Sequence, residues 1–170
     1  MNIKKVIVGS LETNVYILEK NDKCLVIDPG ADFDKIKGNI DKKVVGVLLT
    51  HRHFDHIGVL DELVGFYNVN VYDRNNLKEG INKICDFEFK VFYNPGHTID
   101  SISFIFDNVM FSGDFIFYKT IGRCDLGGNV VDMKNSIKNI LKHNVNYKIY
   151  PGHGDLTYLD NERKMLEYYL

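Results

Sequence analysis

The amino-acid sequence predicts an α+β sandwich, in which stacked β-sheets are covered by helices. Short apolar runs rich in Val, Ile, Phe and Tyr recur along the chain and end at Gly, Asn or Asp, which is typical of strands. Helical periodicity occurs in only four segments. Many strands with few helices favour packed sheets. Because no low-complexity stretch or Ser/Gly-rich linker interrupts the pattern, we expect a single domain over residues 1–170.

The strand predictions rest on β-branched and aromatic runs. Residues 44–49 are apolar on both faces, so this strand should lie inside a sheet. Residues 87–92 alternate with charge, so one face of that strand should meet water. The predicted strands cover residues 3–8, 15–18, 24–27, 44–49, 69–72, 87–93, 102–106, 109–111 and 147–150.

The four helical segments show apolar residues at helical spacing. The third has a stripe formed by Val130, Met133, Ile137, Ile140 and Leu141, with an acidic residue in its first turn and basic residues near its end, as the helix dipole favours. The predicted helices cover residues 32–40, 57–67, 131–141 and 161–170.

Composition and charge exclude several classes of protein. A net charge of -2 without a basic block gives no reason to expect binding to nucleic acid or to an anionic membrane. The apolar run near the N-terminus is too short for a signal peptide, and no stretch approaches a membrane span, so we expect a cytoplasmic protein. The three cysteines lack any C-x-x-C spacing and are expected to be free thiols.

Metal-capable side chains follow several predicted strands directly. All three prolines precede a glycine, and each Pro-Gly pair forces a turn where an apolar strand ends. Asp28, His97 and His153 lie beside these turns, and His51 and Asp114 end two further strands. Short loops at strand ends can present such side chains on a rigid scaffold. This placement predicts one functional site.

The strongest local signal is the segment 51–56, which reads His-Arg-His-Phe-Asp-His. Neutral imidazole and carboxylate are common ligands of zinc, iron and manganese. His51 and His53 can point to the same side of an extended loop, whereas Asp55 and His56 follow where a helix begins. One ion cannot easily take all four together with the distant ligands, so we expect two ions. His143, on a polar helix end, stands apart and is expected to be a solvated cap.

In these motifs the sequence resembles the metallo-β-lactamase-fold hydrolase superfamily over nearly its whole length. The matching segments, in order, are residues 28–30, 51–56, 95–98, 112–114 and 150–154. Residues 121–126, Ile-Gly-Arg-Cys-Asp-Leu, resemble the small glyoxalase II-like (hydroxyacylglutathione hydrolase-like) branch. The resemblance implies a four-layer αββα sandwich with a metal site at one edge of its two sheets.

The resemblance also implies roles for individual residues. One ion would be held by His51, His53 and His97, and the other by Asp55, His56 and His153. Asp114 would bridge both ions, and Asp28 would orient a ligand rather than bind metal. The expected cofactors are two divalent ions, with zinc as first choice and iron or manganese as alternatives.

The expected chemistry is hydrolysis by a metal-bridging hydroxide. Coordination can lower the pKa of water from about 15.7 to about 7, and one ion can stabilise the oxyanion that forms at an ester carbonyl. Asp55 and Asp114 are the expected catalytic residues, because Asp55 can orient the hydroxide and Asp114 can reach both ions. A thiolate leaving group needs little protonation, which suits a thioester such as S-lactoylglutathione or a related small ester.

Three residues near the expected centre are candidates for substrate binding. The guanidinium of Arg123 could bind a substrate carboxylate, although pairing with Asp125 explains it equally well. Tyr118 and Lys119 could line the pocket or belong to a solvated loop. Cys124 lies in the same loop.

Two rival functions remain open from the sequence. A mono-iron persulfide dioxygenase-like oxidoreductase would share much of this site, including a very similar Gly-Arg-x-Asp loop, and would use oxygen. A non-catalytic metal-binding module is the second rival, but structural zinc sites favour cysteine and close at four ligands. The expected partner is a small-molecule substrate, with no nucleic acid and no membrane, and the chain is expected to be a monomer or a homodimer.

Overall fold

The structure, a computed structural model that describes residues 1–170, contains two packed β-sheets and a short ribbon. The first sheet has the strand order β1 (Asn2–Val8), β2 (Thr13–Lys20), β3 (Lys23–Ile27), β4 (Lys43–Leu48) and β5 (Val71–Tyr72). β1, β2 and β3 are antiparallel neighbours, whereas β4 and β5 are added in parallel. β4 is flanked on both sides, as its apolar sequence predicts.

The second sheet has six strands in the order β13-β12-β9-β8-β7-β6. These are β6 (Gly80–Ile84), β7 (Phe87–Tyr93), β8 (Ile102–Phe106), β9 (Val109–Gly113), β12 (Lys148–Pro151) and β13 (Thr157–Tyr158). β9 and β12 are parallel, and the other neighbours are antiparallel. On β7, Phe87 and Phe89 are buried while Glu88 and Lys90 are exposed, which confirms the predicted alternation. β10 (Ile116–Phe117) and β11 (Thr120–Ile121) form the separate ribbon.

Three apolar clusters separate four layers of structure. Alternate residues of β2 and β3 face opposite sides, so that Tyr16 and Leu25 pack between the sheets while Ile17 and Val26 pack outward. The outward side is covered by the helices α1 (Phe33–Lys37) and α3 (Leu60–Tyr67). On the other sheet, α4 (Val130–Leu141) and α5 (Leu159–Tyr168) cover the outer face. The layers therefore follow the order αββα, as predicted.

The helix predicted at residues 57–67 is interrupted. The structure has a short α2 (Phe54–Ile57), which ends at Gly58, and α3 begins only at Leu60. The backbone amide of Val59 donates to the carbonyl of Pro29 at 3.2 Å, so the break packs on the turn after β3. A Cβ at Gly58 would collide with the carbonyl of Gly30. The close approach of two backbones explains why the helical pattern is broken here.

One member of the predicted apolar stripe of α4 was assigned wrongly. Val130 is 58% exposed at the first turn of the helix, whereas Met133, Ile137 and Ile140 are buried against the second sheet. Asn129 caps the helix by accepting a hydrogen bond from the amide of Asp132. No helix in the structure combines the length and the apolar character that crossing a membrane requires.

Candidate metal centre

The predicted site residues lie together at one edge of the sandwich, where the strand ends of both sheets meet. His51 follows β4, His97 follows β7, Asp114 follows β9 and His153 follows β12. Backbone hydrogen bonds connect the two sheets at this edge, from the Ile102 amide to the Thr50 carbonyl at 2.9 Å and from the Asn14 amide to the Gly152 carbonyl at 2.7 Å. The edge therefore provides a hydrogen-bonded frame for side chains from both sheets.

Three histidines form one half of the cluster, called here the histidine triad: His51, His53 and His97. Their ligand-capable nitrogens all lie within 4.8 Å of one another. Nε2 of His97 is 2.8 Å from Nδ1 of His53. The side chain of His51 is buried from solvent, at 2% exposure. These three nitrogens could hold one divalent ion.

The other half, called here the mixed triad, contains Asp55, His56 and His153. Its ligand-capable atoms also lie within 4.8 Å of one another. Oδ2 of Asp55 is 3.1 Å from Nε2 of His153 and 3.5 Å from Nε2 of His56. Asp55 and His56 face this position because α2 begins at Phe54 and turns them away from His53. This group could hold a second ion.

Asp114 lies between the two triads. Its Oδ1 is 3.3 Å from Nε2 of His56, and its Oδ2 is 3.4 Å from Nε2 of His97 and 3.6 Å from Nε2 of His153. Oδ2 thus lies near a member of each triad, and Oδ1 lies near a member of the mixed triad. This is the placement that a bridging ligand requires.

Three buried polar atoms of the centre have no hydrogen-bond partner, as expected of ligand atoms that face a cation site. Nε2 of His51, Nε2 of His56 and Oδ1 of Asp114 are buried and have no hydrogen-bond partner. Leaving a buried polar group unpaired costs about 1–3 kcal/mol, so three such atoms in one cluster need an explanation. Imidazole and carboxylate are a donor set suited to zinc, iron or manganese. The residues present therefore fit a pair of divalent ions.

Each histidine of the cluster is anchored through the ring nitrogen that faces away from the centre. Fixing this second nitrogen sets the tautomer and the orientation of a metal-binding imidazole. Backbone carbonyls accept from three of the rings: Leu126 from His53 at 2.8 Å, Arg123 from His97 at 2.6 Å and Leu11 from His153 at 3.0 Å. The Thr50 hydroxyl lies 3.1 Å from Nδ1 of His51. The sequence analysis missed these carbonyls, since any residue type can supply one.

Asp28 contacts His56 on the side of the ring that faces away from the centre, and its orienting role stays a prediction. Its Oδ2 lies 3.0 Å from Nδ1 of His56 and also accepts from the Thr50 hydroxyl at 2.6 Å. Its Oδ1 accepts from the Thr50 amide at 2.8 Å. Thr13, which was not predicted, donates its hydroxyl to Oδ2 of Asp55 at 3.0 Å. Its position at the start of β2, beside the predicted site edge, was the available signal.

The electrostatics of the two triads differ. Burial lowers the pKa of His51 well below its usual value, and burial also lowers the pKa of His97. Burial would also lower the pKa of His56 and His153, but nearby carboxylates outweigh it. Asp28 and Asp114 raise the pKa of His56 to about 10, and Asp114 and Asp55 raise that of His153 to about 9.

The two carboxylates of the cluster stay ionised. Burial favours their protonation, but the nearby rings of His153 and His56 outweigh it. The pKa of Asp55 is thereby lowered to about 2, and that of Asp114 lies well below its usual value. Both groups are available as anionic ligands throughout the neutral range.

Two glycines allow the backbone to approach the centre closely. A Cβ at Gly152 would collide with Oδ1 of Asp114, and a Cβ at Gly122 would collide with the carbonyl of the same residue. Gly152 belongs to the last Pro-Gly turn, which places His153 in the centre. A side chain at either position would displace Asp114.

The three candidate substrate residues are placed differently. Arg123 lines the cavity at the centre, but its guanidinium binds Asp125 through two hydrogen bonds of 2.6 and 2.7 Å. Tyr118 borders a neighbouring cavity that also includes His153. The ammonium of Lys119 lies 4.8 Å from the Tyr118 ring, and Lys119 lines neither cavity. Their roles in substrate binding stay predictions.

Two residues that were considered for chemistry lie outside the cluster. Nδ1 of His143 is 3.1 Å from the Tyr147 hydroxyl, and its ring packs against Phe92. It is thus partly packed rather than a fully solvated helix cap. Cys124 is half-buried, and burial raises the pKa of its thiol, so it is not an activated nucleophile. All three cysteines are free.

Comparison with known sequences agrees with the geometry. Residues 8–76 match the family model described as the metallo-beta-lactamase superfamily. The chain is 31% identical over 194 residues to "Probable metallo-hydrolase YqgX" of Bacillus subtilis, covering 92% of each chain. It is 33% identical over 167 residues to "Hydroxyacylglutathione hydrolase" of Wigglesworthia glossinidia brevipalpis, covering 90% of this chain and 65% of that relative.

Comparison with solved structures extends over nearly the entire fold. The BLEG-1 B3 metallo-beta-lactamase superimposes with a TM-score of 0.91 at 29% identity and covers 99% of both chains. TTHA1623 in a di-iron-bound form superimposes with a TM-score of 0.86 at 28% identity, covering 95% of this chain and 98% of that one.

Proposed function

The chain belongs to the metallo-beta-lactamase superfamily, and on that premise we propose that it is a metal-dependent hydrolase of a thioester or a related small ester. The observation that carries the proposal is the convergence of two complete triads on Asp114, with buried ligand atoms left unpaired. The naming of relatives as metallo-hydrolase and hydroxyacylglutathione hydrolase supports the reaction class.

In this proposal the histidine triad holds one divalent ion, the mixed triad holds the other, and Asp114 contacts both. Zinc suits the donor set, and the di-iron form of TTHA1623 makes iron the main alternative. When bound, such ions supply water of lowered pKa and polarise a carbonyl oxygen. The residues of the chain then determine where the reacting groups are held.

Asp55 is the residue proposed to orient the attacking water. Its carboxylate is ionised, with a pKa of about 2, and its Oδ2 is fixed by the Thr13 hydroxyl at 3.0 Å. A fixed anionic acceptor can take a hydrogen bond from water and direct a lone pair toward the substrate. No strong general acid is required if the leaving group is a thiolate, because a thiolate is stable without protonation.

The structure favours two ions over the mono-iron oxidoreductase alternative. With a single ion on the histidine triad, the mixed triad of Asp55, His56 and His153 would have no function as a ligand set. The fold itself does not distinguish the hydrolase from the oxidoreductase alternative, because proteins of quite different sequence share it. ETHE1 from Myxococcus xanthus, for example, superimposes with a TM-score of 0.87 at 24% identity. The non-catalytic alternative is disfavoured because both triads open into a cavity of about 580 Å3.

The test combines metal analysis with two activity assays. Purified protein is analysed for its elements, assayed on a panel of thioesters and lactones, and followed for oxygen consumption with a persulfide. Two ions per chain with thioester or ester hydrolysis support the proposal. One iron with oxygen uptake would replace it by the oxidoreductase. The matched variants are His97→Ala, expected to lose metal and activity, and His143→Ala, expected to retain both because His143 lies outside the cluster.

A further inference from the structure

The cavity that contains the centre has an apolar rim. Leu11, Phe54 and Leu126 line it together with members of both triads. Their side chains are 51%, 74% and 52% exposed. Single exposed apolar residues are common on protein surfaces, but three around one functional cavity form a patch that a ligand can cover.

Hydrogen bonds tie the backbone of the rim to the centre at two positions. Leu11 lies in the turn between β1 and β2, Phe54 begins α2, and Leu126 lies in the loop before α4. The carbonyls of Leu11 and Leu126 accept the hydrogen bonds that orient His153 and His53. The same backbone positions therefore orient metal-binding imidazoles and place apolar side chains beside them.

The cavity offers little to a substrate that carries carboxylates away from its reacting carbonyl. Arg123 is the one Lys or Arg side chain among the residues that line it. Its guanidinium already binds Asp125 with two hydrogen bonds. Asp125 neutralises the charge of Arg123 and occupies two of its five N–H donors, and the pair is exposed, so a further carboxylate from the substrate would gain little net affinity there.

We propose, building on the hydrolase function above, that the substrate is an ester or thioester with an apolar acyl chain and a thiol or alcohol portion free of carboxylates, and that Leu11, Phe54 and Leu126 determine this specificity. Burial of an acyl chain against the rim removes apolar surface of both partners from water. Each methylene buried in this way favours binding by a factor of about three to four.

The test compares two substrate series with identical acyl groups. Zinc-loaded protein is assayed on acetyl, butyryl and hexanoyl thioesters of uncharged N-acetylcysteamine and of glutathione, which carries two carboxylates. We expect kcat/KM to rise about threefold per added methylene in the uncharged series. The kcat/KM for butyryl-N-acetylcysteamine should exceed that for butyrylglutathione by about tenfold, because carboxylates that lose water at the cavity meet no unneutralised Lys or Arg there. Calorimetric binding of the thioethers S-hexyl-N-acetylcysteamine and S-hexylglutathione provides a readout independent of turnover, with the same order expected.

Substitution of the rim separates its effect from that of the metal centre. Leu126→Ala keeps the backbone carbonyl that accepts from His53, and Phe54→Ala removes no hydrogen bond to the centre. Each should lower kcat/KM for the hexanoyl thioester by about tenfold and that for the acetyl thioester by less than about twofold. Ile81→Ala is the matched control, because Ile81 is 77% exposed on β6 and borders a separate depression. This substitution should leave kcat/KM unchanged for both the acetyl and the hexanoyl thioester.

The outcomes distinguish the specificity from the hydrolase function on which it rests. Equal or faster hydrolysis of the glutathione series, or rates independent of acyl length, would overturn the specificity and leave the hydrolase standing. If kcat/KM of Phe54→Ala and Leu126→Ala depended on acyl length as in the unsubstituted protein, the rim would not determine specificity. If protein with two bound zinc ions hydrolyses neither series, the thioester hydrolase and this inference fail together.

Discussion

The two triads of the centre differ in the charge that they carry before any cation binds. In the histidine triad, burial keeps the pKa of His51 and His97 low, so these rings are neutral near pH 7. In the mixed triad, carboxylates raise the pKa of His56 and His153 to about 10 and about 9, so these rings are protonated. His51 and His97 can therefore bind a cation without losing a proton, whereas His56 and His153 must each release one.

The triads also differ in how the chain supports them. His53 and His97 are anchored by carbonyls of one loop, which contains Arg123 and Leu126. The mixed triad is anchored from elsewhere, by the Asp28 carboxylate and by the turn before β2. Because no anchoring residue apart from Thr50 serves both halves, substitutions should affect one ion without the other.

Removal of the shared carboxylate should have the largest effect. Asp114→Ala takes away the one ligand close to both triads, so we expect the loss of at least one ion and a fall in kcat/KM of about a thousandfold or more. Elemental analysis and thioester hydrolysis measure the two effects. Asp61→Ala, on the exposed first turn of α3, is the control. An Asp114→Ala protein that kept both ions and full activity would contradict the bridging role.

The two halves should respond differently to pH. A ring with a pKa above the working pH is protonated, and it must become neutral to bind metal, so protons leave His56 and His153 when the mixed triad is loaded. The affinity for the second zinc ion should therefore rise by up to about a hundredfold per pH unit between pH 6 and 8. The first ion displaces no proton from His51 or His97.

Chelator-competition titrations at pH 6, 7 and 8 measure both affinities. Calorimetry in buffers of different ionisation enthalpy counts the protons released, with about two expected for the second ion. Identical pH slopes for both ions would show that the triads do not differ in protonation.

Asp28→Asn tests the orientation of a single ligand in the mixed triad. Asparagine preserves the volume of the side chain and tolerates the left-handed backbone at this position, where φ is 54°. The substitution removes the charge that faces Nδ1 of His56, so the second ion should bind about 10- to 100-fold more weakly. Asp32→Asn, at another left-handed aspartate, is the control. Equal weakening of both ions would indicate general damage rather than loss of one orienting contact.

Thr13→Val should have the smallest effect of the series. Valine has nearly the same shape but cannot donate the hydrogen bond to Asp55 that holds Oδ2 in place. We expect kcat to fall by about three- to tenfold, with the first ion unaffected. Thr120→Val, at an exposed position on β11, should change neither rate nor metal content. A normal kcat in Thr13→Val would mean that Asp55 needs no support from β2.

The sequence predicted the longer strands and the metal-capable side chains that the structure brings together. The alternation on β7 follows from the pleat of a strand with one exposed face. The apolar residues on both faces of β4 follow from its position inside a sheet. The strands β6, β10, β11 and β13 were missed. β10, β11 and β13 have only two residues each, and β6 contains Gly, Asn and Lys, which are uncommon in strands. The break at Gly58 was missed because its cause is Pro29, which is distant in sequence.

For the site, the sequence predicted the metal-capable side chains but not the backbone carbonyls that orient them. Histidine and aspartate at strand ends are visible in the sequence, and the structure brings all seven together. The carbonyls of Leu11, Arg123 and Leu126 carry no signature of residue type. The pairing of Arg123 with Asp125 was one of two alternatives, and only the distances show that it forms.

The contact between the Leu11 carbonyl and His153 joins positions 142 residues apart in the chain. The members of the histidine triad are all present in the chain once His97 has been synthesised, but the mixed triad lacks a member until His153 follows β12 and pairs with Thr13 at the start of β2. The second cation site is therefore incomplete until β12 has paired with β9 and its following turn has reached β2. Binding of both cations thus depends on the docking of segments that are far apart in the sequence, and bound cations would in turn hold those segments together.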